Sequence, residues 1–263
     1  MGGGGDMADE GRSPVCEKNP DGVGPFVIVC DHASNRMPPG YDSLGLSPEA
    51  LLTHIAWDPG ALPVSRRLSA TLDAPLLWPE ASRLIVDCNR DPDAPDLILA
   101  ESEGRPVPGN HDLAERERVR RLATVHVPYH RAIDARLESR AQADRATAIV
   151  AIHSFTPVYL GNRRPWQIGI VFDDDRRLAD PIVSALKVDP ALSVGVNQPY
   201  SPADGVYYTL TRHARARGLP AVMIEIRNDL IADEAVQQVW AHRLGAILAS
   251  IRPVVSGAAD AAA

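Results

Sequence analysis

The sequence predicts a layered α/β domain, on three observations. Strand-like and helix-like segments alternate along the chain. Four apolar runs are short enough, and bounded by enough polar or turn residues, to read as buried strands. Each of those runs ends on residues able to do chemistry, and in open α/β sheets ligands sit at the carboxyl ends of the strands. Phe26–Cys30 leads to Asp31 and His32, Leu84–Val86 to Asp87, Asn89 and Arg90, Ala148–Ile152 to His153, and Ala221–Ile224 to Glu225 and Arg227.

Ser47 and Pro48 open a helix of about eight residues, with Ser as N-cap and Pro at the first helical position. Asp58-Pro59 repeats the device ahead of Ala61, Val64, Leu68 and Leu72, whose spacing is helical. A Pro-, Gly- and Asp-rich loop from Asp91 to Asp112 is long enough to be functional. A long helical pattern follows from about Leu113 to Arg145, with Val119, Leu122, His126, Tyr129, Ile133 and Leu137 on one stripe and a kink or restart at Pro128. Trp166–Phe172 reads as a strand, and Asp180-Pro181 opens a short helix. Gly205–Arg217 reads as a loop entering a helix that stops at Gly218-Leu-Pro220. The last helix, Asp233–Ile251, turns Val236, Trp240, Leu244, Ile247, Leu248 and Ile251 inward. No repeat or composition shift marks a second domain. The expectation is a flexible tail over 1–24, one domain over 25–254 and a second tail over 255–263.

At 263 residues, 45% apolar and net charge −7, the chain suits a globular protein and argues against a general nucleic-acid binder. No apolar run approaches 18 residues, so no membrane partner is expected, and the Gly-rich acidic start lacks a signal-peptide pattern. The expected location is cytoplasmic. Cys16, Cys30 and Cys88 have no paired spacing and read as reduced thiols.

His32 and His153 each follow an apolar strand among small polar neighbours, which suits a metal pair. A catalytic zinc site keeps three protein ligands and an open position. The third ligand is Asp58 or Asn35, and a carboxylate oxygen is the better zinc donor. Asp58 also has a second reading, as the cap of the helix that follows it. Glu225 ends a buried run, so it must be paired, metal-linked or proton-sharing. It is either the partner of Arg227 or a general base for amide hydrolysis, and strand alternation puts 225 and 227 on one side. Asn89 and Arg90 read a substrate carboxylate, because a guanidinium binds it through a planar fork. Arg83 is placed to polarise a carbonyl, but seven extended residues separate it from Arg90 by about 23 Å unless the chain bends. His126 and His130 lack the Glu of a zinc-protease motif and read as packing. Asp173–Asp175 reads as a solvated turn. Tyr200, Tyr207 and Tyr208 are either lid or packing residues.

The segments Asp31-His32-Ala-Ser-Asn35-Arg36, Arg83-x-x-x-Asp87-x-Asn89-Arg90, His153-Ser-Phe-Thr-Pro157 and Glu225-Ile-Arg227-Asn-Asp229, taken in order, resemble the N-formylglutamate amidohydrolase family. More distantly they are similar to zinc carboxypeptidases and aspartoacylase-type zinc deacylases. The resemblance covers about Phe26 to Pro253. It implies a three-layer α/β/α fold with a central mixed sheet, zinc on His32 and His153, Glu225 as base, Asn89 and Arg90 on the carboxylate, and Arg83 on the carbonyl. The departure is Asn35, which stands where the distant relatives have a ligating Glu.

On these grounds the expected activity is metal-dependent hydrolysis of a small N-acyl amino acid, with N-formyl-L-glutamate as lead substrate and a place in histidine degradation. The metal set is His32, Asp58 and His153, with Arg227 among the substrate-binding residues. Arg36, Arg163, Arg164 and Arg227 are all candidates for reading a second carboxylate. The rival readings are a carboxypeptidase-like exopeptidase and a non-catalytic binding protein for small acidic metabolites.

Overall fold

Burial patterns divide the chain's apolar residues into two cores, one on each face of a mixed sheet. The structure is a computed structural model and describes residues 13–255. Its strands in chain order are β1 (Val15–Lys18), β2 (Phe26–Val29), β3 (Leu76–Pro79), β4 (Glu101–Ser102), β5 (Arg105–Pro106), β6 (Ala148–Phe155), β7 (Val158–Tyr159), β8 (Asn162–Arg163), β9 (Ile168–Val171), β10 (Val194–Val196) and β11 (Ala221–Arg227). Seven of them form one sheet in the order β1-β3-β2-β6-β11-β9-β10, while β4–β5 and β7–β8 are small separate hairpins. Within the seven-stranded sheet β1 runs antiparallel to β3 and β9 antiparallel to β11, and its other pairings are parallel.

The helices are α1 (Pro48–Leu51), α2 (Ala61–Leu72), α3 (Glu115–Arg121), α4 (Val127–Gln142), α5 (Ala179–Leu186), α6 (Tyr208–His213), α7 (Glu234–Ser250) and α8 (Arg252–Val255). Alternate strand residues serve opposite layers, as the two-residue period of a strand requires. Phe26, Ile28, Val150, Ile152, Val222 and Ile224 pack with Val64 and Leu68 of α2, Ile182 of α5 and Leu244 of α7. Val27, Val29, Ile149, Ala151 and Met223 pack instead with Tyr129, Ile133 and Leu137 of α4, Leu210 of α6 and the coil around Leu84–Leu97. The three-layer arrangement is therefore as expected. No helix among the described residues is long and apolar enough to cross a membrane.

Four expectations need correction. Val15–Lys18, placed in a tail, pairs residue by residue with β3, so the ordered chain begins before Phe26; residues 1–12 and 256–263 lie outside the described residues. The helix capped by Ser47 runs only to Leu51. The long helix from 113 to 145 is shorter, running from Glu115 to Gln142, and the change expected at Pro128 comes earlier, as a π-helical turn over Leu122–His126 between α3 and α4, with helical backbone throughout. Pro128 has no N–H to give, so the ladder widens just before it instead of continuing.

The fourth concerns Leu84–Val86, which is buried but is not a strand. Ser82 accepts from the Leu84 amide through its hydroxyl (3.2 Å), and the Ile85 amide returns to the Ser82 carbonyl (2.9 Å). Local bonding of this kind satisfies the backbone without a sheet partner. The apolar side chains then bury themselves in the second core as a coiled segment.

Candidate active site

Two strands fix the centre of the site. In β6 and β11 the parallel register places Glu225 opposite His153. By strand alternation both follow Ile149, Ala151 and Met223 onto the α4 face. On the other side of Glu225 the register partner in β9 is Gly169. A Cβ at Gly169 would lie 2.1 Å from the Gln198 carbonyl oxygen, so only glycine lets the 197–200 segment approach there and bring Tyr200 to the site.

The exit of β2 supplies Asp31 and His32, and the coiled segment from Ser82 to Arg90 supplies the rest. Because that segment turns on itself, Arg83 reaches back to Asp87, with Nη2 donating to Oδ2 at 2.6 Å. The separation expected for an extended chain does not arise, and Arg83 and Arg90 line the same cavity. Asp204 carries Arg90 on its carbonyl (3.0 Å), just before Gly205, whose φ of 73° turns the chain in a conformation open to glycine.

His32, Asp58 and His153 converge, with one ligating atom from each lying within 4.8 Å of the others, and all three are buried. Both imidazoles present Nδ1 to the same oxygen, Asp58 Oδ2, at 3.4 Å from His32 and 2.9 Å from His153. Their Nε2 atoms are each taken by another carboxylate, His32 by Asp87 Oδ1 at 2.7 Å and His153 by Asp31 Oδ2 at 2.9 Å. Asp31 Oδ1 in turn accepts from Tyr129 (2.9 Å) and Thr209 (2.8 Å). His32 Nδ1 is buried and makes no hydrogen bond among the described residues. This buried His–Asp–His group could hold a metal ion.

The two open alternatives separate here. Asp58 does not cap α2, whose N-cap is Gly60; its side chain accepts from the Ser154 amide (3.2 Å) and faces the imidazoles. Asn35 donates to the Leu51 carbonyl (2.9 Å) and is not among the residues lining the cavity.

Charge is concentrated in this small volume. Burial alone would raise the Asp58 pKa, but the adjoining His32 charge and the hydrogen bond from His153 hold it well below the carboxylate range. Asp87 is likewise held low, against burial, by Arg83 and His32. Burial opposes protonation of His153, yet its bonds to Asp31 and Asp58 raise its pKa well above the usual value. Glu225 is different. Burial pushes it up to about 7, the Asp58 charge adding to this against the pull of His153, and its Oε2 has no hydrogen-bond partner.

A cavity of about 140 Å³ opens onto these groups. His32, Asp58, Arg83, Asp87, Asn89, Arg90, His153 and Glu225 line it, joined by Ser154, Tyr159 and Tyr200. Asn89 is firmly held: its amide donates to the Val206 carbonyl and accepts from the Thr209 amide (3.0 Å), leaving one N–H free. Arg227 pairs with Asp229 at 2.8 Å rather than with Glu225, and it is not among the cavity residues.

Sequence reasoning did not single out Asp31, Asp87 or Thr209 as supports of the histidines. Asp31 had a signal, since alternation puts it on the face of Val27 and Val29, opposite Cys30. Thr209 had none, because it depends on α6 meeting β2 across 178 residues of chain. His126 and His130 are packed as expected, His126 against the Arg90 carbonyl (3.0 Å) and His130 between the Cys88 carbonyl (2.9 Å) and His213 (2.8 Å). Asp175 is tied to Arg177 in the expected surface turn.

Known proteins share this fold. The sequence model of the N-formylglutamate amidohydrolase family matches residues 24–232. An N-formylglutamate deformylase of Pseudomonas aeruginosa is 29% identical over 246 residues, covering 83% of this chain and 85% of its own. The crystal structure of a gene product from Agrobacterium tumefaciens superposes with a TM-score of 0.90 at 43% identity, covering 93% of this chain and 97% of its own. That of an N-formylglutamate amidohydrolase from Ralstonia eutropha gives 0.70 at 21% identity, over 94% of this chain and all of its own, which speaks to the fold.

Proposed function

The chain belongs to the N-formylglutamate amidohydrolase family and is a hydrolase of amide bonds, and we propose that it cleaves N-formyl-L-glutamate to formate and glutamate with a metal held by His32, Asp58 and His153. The observation that carries the metal is the convergence of two buried Nδ1 atoms on one carboxylate oxygen, one of them without any other partner. The donor set fits the ion: two imidazoles and a carboxylate are three ligands of the type zinc takes, with room for a fourth position on the cavity side. Carboxylates on both Nε2 atoms fix the tautomers that leave Nδ1 free to bind, the usual support of a histidine ligand. When bound, zinc would act as a Lewis acid toward the substrate carbonyl and the attacking water.

The chain's own residues supply the remaining steps. Arg90, with the free N–H of Asn89 beside it, holds the α-carboxylate and fixes the substrate's orientation. The Arg83 guanidinium, anchored by Asp87, faces the cavity and stabilises the oxygen of the formyl carbonyl as negative charge develops there. Glu225 takes a proton from water as the new C–O bond forms and returns it to the amide nitrogen as the C–N bond breaks, releasing formate and the amine of glutamate. Its pKa near 7 suits both halves of that transfer. The small cavity, about 140 Å³, favours a free N-acyl amino acid over a peptide chain.

The test is metal analysis of the purified protein coupled to a formate-release assay on N-formyl-L-glutamate, with His153→Ala as control. Zinc near one per chain and formate release, both lost in the variant, are expected. Zinc present with no hydrolysis of any N-acyl amino acid would overturn the substrate, and turnover that survives chelation would overturn the metal.

A further inference from the structure

N-formylglutamate carries two carboxylates, and Arg90 accounts for one. Of the four other arginines raised by the sequence, three are committed or remote. Arg36 is bound to Glu80, Arg227 to Asp229, and Arg163 is exposed on β8. Arg164 is the exception. It pairs with no carboxylate among the described residues, and its guanidinium carbon lies 4.5 Å from the centre of the Tyr159 ring and 4.7 Å from that of Tyr200. Stacking on ring faces leaves the in-plane N–H groups of a guanidinium free.

One of those groups, on Nη1, donates to the Tyr200 hydroxyl at 3.0 Å. Tyr159 and Tyr200 both line the cavity, and Arg164 stands against them just outside the lining. With its oxygen accepting from Arg164, the Tyr200 hydroxyl is left to turn its own proton toward the cavity. Burial and the Glu225 charge keep that hydroxyl protonated. The backbone supports the arrangement: the Arg164 amide bonds the Pro157 carbonyl (2.9 Å) and closes the β7–β8 hairpin, so the guanidinium returns over Phe155, two residues past His153.

We propose that Tyr200 and Arg164 form the subsite for the substrate's second carboxylate, Tyr200 donating the hydrogen bond and Arg164 supplying the charge, so that the enzyme selects N-acyl derivatives of dicarboxylic amino acids. The proposal rests on the reaction assigned above and deepens it. The neutral isostere N-formyl-L-glutamine would meet the same shape without the charge.

Steady-state kinetics on N-formyl-L-glutamate and N-formyl-L-glutamine, with wild type, Arg164→Met, Arg164→Lys and Tyr200→Phe, test it. Arg164→Met is expected to lower kcat/KM for the glutamate substrate by about 10- to 100-fold, through KM, while the glutamine substrate changes by less than about threefold. Arg164→Lys should recover part of the loss, and Tyr200→Phe should reduce the same preference. An equal fall on both substrates, or a fall in kcat alone, would overturn the subsite by showing a general structural or carbonyl-binding role. Calorimetric binding of the same two compounds separates this from failure of the reaction itself. If wild type hydrolyses neither, a selective loss of N-formyl-L-glutamate affinity in Arg164→Met still supports the subsite, and no selective loss refutes it.

Discussion

Replacing Glu225 by Gln should move activity and stability in opposite directions. The side chain sits at the end of a buried strand with one oxygen unpartnered, and burial holds its pKa at about 7 against an ordinary 4.5. An acid whose pKa is raised by folding binds protons more tightly in the native state. Stability therefore falls as pH rises from 4.5 to about 7, and the full penalty stands above that range. The gap corresponds to about 3 kcal/mol at pH 8 in the metal-free protein. Glutamine has the same shape and no charge to desolvate, so the metal-free variant should gain up to that amount, several degrees in Tm for a chain of this size. With no proton acceptor it should also lose about 10²- to 10⁴-fold in kcat.

Urea denaturation at pH 5 and pH 8 in the presence of a chelator, alongside formate release by the metal-loaded enzyme, reads both effects. The stability gain should be present at pH 8 and largely gone at pH 5. A variant that is less stable at pH 8, or that keeps more than a tenth of wild-type turnover, would refute the reasoning, since Glu225 would then be a satisfied structural group.

Asp31→Asn and Asp87→Asn should each weaken metal affinity by about 10- to 100-fold in a competition titration, because each carboxylate orients a histidine through Nε2; unchanged affinity would count against Nδ1 ligation. Burial holds His130 at about 2 and His213 at about 4, so both stay neutral in the native state as the unfolded chain takes up protons. Their contribution to stability is whole above pH 6.5 and falls below it, by up to about 1.4 kcal/mol per pH unit for each ring. His213→Asn should accordingly flatten the urea midpoint between pH 6.5 and 5. Gly169→Ala should cost about 1–3 kcal/mol by thermal denaturation and raise KM, since its methyl would push the Gln198 carbonyl away and move Tyr200 with it.

The parts of the site legible in the sequence are those that a strand delivers. Burial makes β2, β6 and β11 nearly uniform apolar runs, so a His or Glu at the end of one stands out against its own strand. Strand alternation then places His153 and Glu225 on a common face once the parallel register is known. The layered fold follows from the same runs. Asp58 was legible as a residue but not as a role, because an Asp before Pro suits a helix start as well as a metal. The three-dimensional position of Gly60 as the cap removes the first reading, and His32 and His153 lie beside the carboxylate.

Leu84–Val86 shows why the rest was not legible. Its composition matches a strand, and nothing local says whether its backbone will bond to a neighbour or to itself. Ser82 decides it: the hydroxyl donates to the Ala56 carbonyl at 2.7 Å while accepting from Leu84, which pins a turn at the point where a strand would have begun. The consequence is functional. An extended 83–90 segment would have parted the two arginines, whereas the turn folds Arg83 onto Asp87 and leaves Asp87 Oδ1 for His32. One carboxylate then anchors Arg83, the proposed carbonyl polariser, and orients His32, a proposed metal ligand, at the same time. Asp87→Asn therefore acts on both, and it should lower kcat in the metal-saturated enzyme beyond its effect on metal affinity, whereas Asp31→Asn, which contacts no arginine, should be rescued by excess metal.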